Sequence, residues 1–126
     1  MKKIYIAGPM RGYSKYNFPM FDRARDLAAS RGWNPISPAD LDRNDGAKDE
    51  DLPENAEDAN GQHTGTRLEV VKRDLGAVFE CQAILLLPNW EKSAGATAEL
   101  AVAEWLELEI YHYDPDKHEI ISLSGW

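Results

Sequence analysis

Near the start of the chain lies the segment KIYIAGPMRG, residues 3–12, which carries the clearest indication of the fold. Four apolar residues, Ile4 to Ala7, follow one another, and such a run with isoleucine and tyrosine is typical of a buried strand. The next five residues, Gly8–Gly12, contain two glycines and a proline, which is typical of a turn. The segment therefore predicts a strand over Lys3–Ala7 that ends in a glycine-containing turn.

Helices and strands are predicted to alternate along the rest of the chain. Helical spacing of apolar residues indicates one helix from the N-cap Asn17 to about Ser30, before Gly32, and a second around Leu68–Val78. Further elements are predicted at Trp33–Ser37 (strand), Ala83–Leu87 (strand), Ala94–Glu107 (helix), Ile110–Tyr113 (strand) and Ile120–Leu123 (strand). This order predicts a single α/β domain over residues 1–126: a doubly wound parallel sheet of four to five strands, flavodoxin- or Rossmann-like, with helices on both faces.

The composition narrows the class of protein. The longest apolar run, Ala83–Leu87, is far too short to cross a bilayer, and no long apolar region follows Met1, so we expect neither a membrane partner nor a signal peptide. The lone cysteine, Cys81, cannot form an internal disulfide and offers no pair of metal ligands. We therefore expect a cytoplasmic protein that needs no metal or other cofactor.

Negative charge is concentrated in one stretch. The formal net charge is −8, and residues 41–65 hold eight acidic and two basic side chains, so most of the excess lies there. A chain of this charge lacks the basic face that binds a phosphate backbone, which argues against a nucleic acid partner. Few large apolar residues occur in the stretch, so we expect an acidic surface loop inserted at about 41–65.

Two segments follow predicted strands and could bind a small anionic ligand, because ligands of such sheets bind at the carboxyl ends of the strands. In Gly8–Gly12, backbone N–H groups and the guanidinium of Arg11 suit phosphate, although a plain turn with a solvated arginine is the alternative. Ser93, Gly95 and the residues around them open a helix whose N–H groups are unpaired. An ordinary serine N-cap is the alternative there.

Glu99 is the most informative residue. Its helical neighbours are small or apolar, so its carboxyl group is expected on the row that faces the sheet, where a carboxylate needs a partner or a purpose. A glutamate at the helix edge is the alternative.

The other candidates are less informative. Tyr5 and Asp74 are ambiguous by themselves, since a strand tyrosine is usually in the core and a helix aspartate is usually on the surface. The remaining candidates are large side chains that could form the walls of a base pocket: Met10, Phe18 and Trp90.

Three segments together resemble the nucleoside 2-deoxyribosyltransferase superfamily, which includes the 2′-deoxynucleoside 5′-phosphate N-hydrolases. They are Ile4–Gly12, Arg73–Leu75 and Ser93–Glu99, and the chain is most similar to a small phage-associated branch. The resemblance covers Lys3 to about Leu41 and Arg67 to Tyr113. Pro9 departs from the pattern, because it removes one N–H donor from the turn.

The resemblance implies a role for each matching position. Glu99 would be the nucleophile, Tyr5 would position it, and Asp74 would assist the leaving base. Arg11 and Ser93 would hold a 5′-phosphate, and a serine at position 93 favours a nucleotide over a nucleoside. The full set of substrate-binding candidates is Gly8, Met10, Arg11, Gly12, Phe18, Trp90, Ser93 and Gly95.

The resulting hypothesis is an enzyme, an N-glycosidase or deoxyribosyltransferase acting on a 2′-deoxynucleoside 5′-monophosphate through a covalent glutamyl-sugar intermediate. Two alternatives stay open: a protein that binds or sequesters nucleotides without turnover, and a glycosidase directed at NAD or ADP-ribose. The resemblance also implies a homodimer or higher symmetric homo-oligomer, for which the apolar residues Trp105, Leu106 and Trp126 could supply the interface.

Overall fold

A computed structural model of the chain describes residues 2–54 and 65–123. In chain order, these residues form five strands and four α-helices: β1 (Lys3–Ala7), α1 (Phe18–Ser30), β2 (Asn34–Ile36), α2 (Pro38–Asn44), α3 (Arg67–Phe79), β3 (Ala83–Leu86), α4 (Ala94–Trp105), β4 (Glu109–Asp114) and β5 (Glu119–Ser122). None of the helices in these two ranges is long and apolar enough to cross a membrane.

The strands form one sheet in the order β2-β1-β3-β4-β5. The first four are parallel, and β5 returns antiparallel to β4 through a hairpin. The strand order reverses between β1 and β3, because the chain leaves β1 towards β2 and later comes back to β3 on its other side. In open α/β sheets, this reversal is where the crevice for a ligand forms, at the carboxyl ends of the strands.

The two faces of the sheet are covered by different helices. On one face, Ile4, Ile6 and Leu85 pack against α1 in one apolar cluster. On the other face, Tyr5 and Ile84 pack in a second cluster with buried residues of α3 and α4. Successive side chains of a strand point to opposite faces, so β1 contributes to both clusters in alternation. The predicted single α/β domain with a doubly wound sheet is confirmed, although β5 is antiparallel to its neighbour where a parallel sheet was predicted.

One helix was not predicted. The sequence predicts a strand over Trp33–Ser37 and a loop from about residue 41, whereas α2 begins at Pro38 and extends to Asn44. Proline fits the first helical position, where its missing N–H would have no partner in any case. Ser37 completes the start of the helix, because its Oγ accepts a hydrogen bond from the N–H of Ala39 at 3.2 Å. A local signal for this helix was therefore present but was assigned to the wrong element.

The second predicted helix exists as α3, but its apolar residues are not all buried. Ala77 and Val78 in the last turn are buried, whereas Leu68 is 62% and Val71 44% exposed. Only the C-terminal end of α3 thus packs closely against the sheet.

Part of the acidic stretch is structured. Helix α2 occupies its first residues, and a short 3₁₀ turn follows at Asp49–Asp51. Residues 55–64 lie outside the described ranges, so the extent of the predicted insertion stays a prediction.

Candidate active site

Tyr5 and Glu99 meet between β1 and α4. Glu99 lies on the helical row that faces the sheet, between the buried Ala96 and Ala103, and only 8% of it is exposed. Tyr5 points from the centre of β1 to the same side and is fully buried. Its hydroxyl donates a hydrogen bond of 2.5 Å to Oε2 of Glu99. A buried carboxyl group is thereby paired with a neutral donor rather than with a cation.

Burial determines the protonation of this pair. Loss of water raises the pKa of Glu99 to about 8; the hydrogen bond from Tyr5 opposes this rise and the charge of Asp74 adds to it. Burial and the neighbouring Glu99 also raise the pKa of Tyr5 well above its ordinary value. At neutral pH, Tyr5 is therefore a hydrogen-bond donor and Glu99 largely holds its proton.

Asp74 joins the pair from α3, the neighbour of α4. Its side chain is mostly buried, with 16% exposed. Burial raises its pKa, and the adjacent Arg73 counteracts the rise. The charge of Asp74 in turn raises the pKa of both Tyr5 and Glu99. Three side chains from three elements thus act on one another electrostatically, as expected of groups that exchange protons.

The Gly8–Gly12 turn lies directly after β1, beside the end of β3. A Cβ atom added to Gly8 would lie 2.6 Å from Cβ of Leu87, so only glycine allows this close approach. Asn17 holds the turn from the other side. It was predicted to cap α1 with its side chain, but its amide instead donates a hydrogen bond of 2.9 Å to the carbonyl of Pro9. Arg11 and Gly12 are exposed at the tip of the turn.

The start of α4 lies at the same end of the sheet, beside the carboxyl ends of the strands. Ser93 caps the helix, because its Oγ accepts a hydrogen bond from the N–H of Ala96 at 3.1 Å. The ordinary capping alternative is therefore present, and the hydroxyl proton is not used in that bond. Gly95 is exposed in the first turn. Trp90 packs at the edge of the cluster that contains Tyr5.

The two other predicted wall residues lie on the opposite face of the sheet. Met10 packs against the cluster that contains α1. Phe18 is only 2% exposed within that cluster, and the guanidinium of Arg43 lies 4.8 Å from the centre of its ring. Phe18 thus has almost no exposed surface in this structure, and its place in the wall of a base pocket stays a prediction.

Sequence reasoning missed Arg73. Its guanidinium contacts Asp74, Asp42 and Asp45 with N···O distances of 2.9, 2.7 and 2.9 Å. The two latter carboxylates belong to the acidic stretch, 31 and 28 residues away in the chain. Neither helical periodicity nor motif spacing could reveal this contact, although an arginine beside a candidate acid was a weak signal.

An open depression lies next to this cluster and is lined by Asp45, Gly65, Glu69 and Val70. Its lining does not include Tyr5, Asp74 or Glu99. The chemistry-bearing side chains therefore converge beneath the surface rather than in that depression.

Comparisons with known proteins agree with the architecture. A family model described as Domain of unknown function (DUF4406) matches residues 2–112. Among solved structures, the chain is similar to a 2-desoxiribosyltransferase from Leishmania mexicana, with a TM-score of 0.60 and 19% sequence identity over 90% of this chain. The match covers 64% of that protein, and at this identity the likeness is one of fold. A search of curated protein sequences finds no match.

Proposed function

The chain belongs to the family described as Domain of unknown function (DUF4406), and because that description names no activity, we propose a function from the chemistry of the site. The protein cleaves the N-glycosidic bond of a 2′-deoxynucleoside 5′-monophosphate, as a hydrolase or as a deoxyribosyltransferase. The observation that carries this proposal is the hydrogen-bonded pair of Tyr5 and Glu99, buried together beside Asp74.

The first half of the reaction breaks the bond between C1′ and the base nitrogen. The electron pair of that bond leaves with the base, which takes a proton that Asp74 supplies or relays. The sugar becomes cationic, and Oε1 of Glu99, the oxygen that Tyr5 does not hold, forms a bond to C1′. The hydrogen bond from Tyr5 fixes the carboxyl group and favours its ionised form, which the attack requires, so Glu99 releases its proton to solvent before it bonds to C1′.

The second half releases the sugar. In hydrolysis, a water oxygen attacks C1′, the bond between C1′ and Glu99 breaks with its electrons returning to the carboxylate, and Asp74 recovers a proton from the water. In transfer, the nitrogen of a second base takes the place of water. Two displacements at C1′ give retention of configuration in both cases.

Groups at the carboxyl ends of the strands support the proposal that the substrate carries a 5′-phosphate. The Gly8–Gly12 turn carries the exposed Arg11, and Ser93 caps the start of α4 at the same end of the sheet. A guanidinium, a hydroxyl and the N–H groups of a helix start are the donors that a 5′-phosphate accepts. Such contacts would place C1′ over Glu99 while leaving the reacting bond free.

A protein that binds nucleotides without turnover is the main rival. In that case Glu99 would be expected to be neutralised by a cation. Within the described ranges, Glu99 forms no ion pair and bonds to a neutral phenol instead. This arrangement supports an enzyme, because a carboxyl group held by a neutral donor stays free to stabilise a developing positive charge.

The test is release of free base. The protein is incubated with deoxy- and ribonucleoside 5′-monophosphates, the matching nucleosides and NAD, each with and without a second base, and the products are separated by chromatography. We expect free base from at least one 2′-deoxynucleoside 5′-monophosphate and none with the Glu99→Ala variant. Binding of nucleotides without base release would favour the sequestering protein, and release of nicotinamide alone would favour an NAD-directed glycosidase.

A further inference from the structure

Arg73 is held at three points. Its Nε donates to Oδ1 of Asp74, its Nη1 to Oδ2 of Asp45 and its Nη2 to Oδ1 of Asp42. A guanidinium is planar and its N–H groups form a rigid fork, so three such bonds leave it little freedom to turn. Only 19% of the Arg73 side chain is exposed, and the same holds for Asp42.

Arg73 links two helices. It lies beside Asp74 in α3, and its Nε bonds to that neighbour while its Nη1 and Nη2 reach Asp45 and Asp42 at the end of α2. An arginine on α1, Arg25, bonds to the adjacent Asp26 in the same way, so the contact between neighbours is not in itself special. What distinguishes Arg73 is that its neighbour Asp74 lies beside the Tyr5–Glu99 pair.

We propose that Arg73 is a positioning residue, which Asp42 and Asp45 hold in place and which in turn fixes the orientation of the Asp74 carboxyl group beside the Tyr5–Glu99 pair. The proposal rests on the function above in giving Asp74 a proton to deliver. It assigns a purpose to the first part of the acidic stretch, whose charges act on the reaction through one guanidinium rather than by touching the substrate.

The charges around Asp74 act in opposite directions. Arg73 on α3 favours its ionised form, whereas Asp42 and Asp45 on the α2 side favour its protonated form. From α4 and β1, Glu99 and Tyr5 face the same group. Removing the guanidinium should therefore raise the titration midpoint of Asp74. Neutralising Asp42 and Asp45 removes two smaller opposing charges but also releases the guanidinium that they hold, so the midpoint should rise in that case as well.

The chain contains a matched control. Arg43 contacts three carboxylates in the same way, those of Asp22, Asp40 and Asp49. It lies on α2 but contacts neither Asp74 nor the Tyr5–Glu99 pair. An Arg43→Gln variant thus loses a comparable set of ion pairs without touching the proposed relay.

The experiment is a pH titration of the side-chain carboxyl carbons by NMR on the intact chain, with Asp74 assigned from an Asp74→Asn variant. We expect Arg73→Gln to move the Asp74 midpoint up, because the cation that favours its ionised form is lost. We expect Asp42→Asn with Asp45→Asn to move it up as well, because the guanidinium is no longer held beside Asp74, and Arg43→Gln to leave it in place. If Arg73→Gln does not fold, the two asparagine substitutions on the intact guanidinium still give a shift of defined sign.

Two results would overturn the inference: an Asp74 midpoint that responds equally to Arg73→Gln and Arg43→Gln, or one that moves down when Asp42 and Asp45 are neutralised, since the guanidinium would then stay on Asp74 without them. The titration needs no turnover, so it is independent of whether base is released. Where the wild-type protein does release base, Arg73→Gln should lower kcat at least tenfold with little change in KM, because the proposed role of Arg73 is to act through Asp74. An equal loss from Arg43→Gln would contradict a positioning role.

Discussion

The hydroxyl of Tyr5 donates its hydrogen bond to a glutamate that lies 94 residues later in the chain, Glu99, and both side chains are buried. An unpaired carboxyl group at this depth would be costly, and a cation would neutralise it permanently. A phenol pairs with it and still lets it gain or lose its charge. This single contact makes the pKa of Glu99 dependent on Tyr5.

Replacing Tyr5 by phenylalanine tests that dependence. The bond from Tyr5 lowers the pKa of Glu99, so its loss should raise that pKa further and move the rise of kcat/KM with pH to higher pH. We also expect kcat to fall by roughly 100-fold, the usual cost of losing one well-placed donor. The measurement is the pH dependence of base release. Tyr113→Phe is the control, because it removes the hydroxyl of another fully buried tyrosine, bonded to His118; an equal effect there would contradict the prediction.

Glu99 should make stability depend on pH. Its pKa is about 8 in the folded protein and 4.5 ordinarily, so between these values the folded chain holds a proton that the unfolded chain releases. Stability from this residue is thus complete below about pH 4.5 and is lost as pH rises through 8. At about 1.4 kcal/mol per pH unit, the change amounts to a few kcal/mol.

Thermal unfolding of a Glu99→Gln variant measures this effect. The glutamine stays neutral, so the variant should match the wild type near pH 4 and exceed it increasingly towards pH 9. Glu104→Gln, at an exposed position of the same helix, should show no such divergence. Parallel curves for Glu99→Gln and the wild type would mean that Glu99 titrates normally.

Substitutions at the two ends of the substrate should separate binding from chemistry. Glu99→Ala should abolish base release while nucleotide binding, followed by calorimetry, stays largely intact, because Glu99 bonds to the sugar only as it becomes cationic. Ser93→Ala and Arg11→Ala should mainly raise KM, since the phosphate changes little during the reaction. Some loss of kcat is expected as well, because the phosphate also positions the sugar. Full activity of Glu99→Ala would disprove the mechanism.

Gly8 should tolerate no side chain. An added Cβ would overlap with Leu87, so Gly8→Ala should reduce the free energy of unfolding by about 1–3 kcal/mol. Gly76 is the matched control, because it lies in α3 with open space at the position of a Cβ. Gly76→Ala should be neutral or stabilise by up to about 1 kcal/mol. Denaturant unfolding measures the free energy of unfolding of both variants. Equal changes in the two would contradict the close approach of Gly8 and Leu87.

We propose that the chain assembles into a homodimer or larger symmetric oligomer. Trp105 is 88% exposed at the end of α4, next to the half-exposed Leu106, and large apolar side chains that lie together on a surface are typical of interfaces. The third residue expected at the interface, Trp126, lies outside the described ranges. Light scattering should find a wild-type oligomer and a Trp105→Glu monomer. Leu68→Glu, an exposed apolar position on α3, is the control, and a wild-type monomer at high concentration would refute the proposal.

Local patterns predicted the parts of the fold that depend on neighbouring residues. The bounds of β1 and α1 follow from an apolar run and from helical spacing, and both were found where the sequence indicated. Helix α2 was missed because proline starts helices as well as ending strands. The exposure of Leu68 depends on how far α3 extends beyond the sheet, and no local pattern contains that information.

Local sequence patterns also predicted only part of the candidate site. The place of Glu99 on the inward row could be predicted from helical spacing, and the structure puts it there. The bond to Tyr5 and the contacts of Arg73 with Asp42 and Asp45 join residues far apart in the chain. They arise only after the sheet has brought β1, α2, α3 and α4 together.

Successive side chains of β1 point to opposite faces of the sheet, so this strand contributes to two separate clusters. Ile4 and Ile6 belong to the α1 side, whereas Tyr5 belongs to the side of α3 and α4. Substitutions in the α1 cluster can therefore change the stability of the domain without altering the proposed active site. Substitutions in the other cluster affect stability and the proposed reaction together. Mutant libraries designed to increase stability should vary the first cluster, and libraries designed to change the substrate should vary the second. Adding or deleting one residue within β1 would exchange the two sides and disrupt both clusters at once.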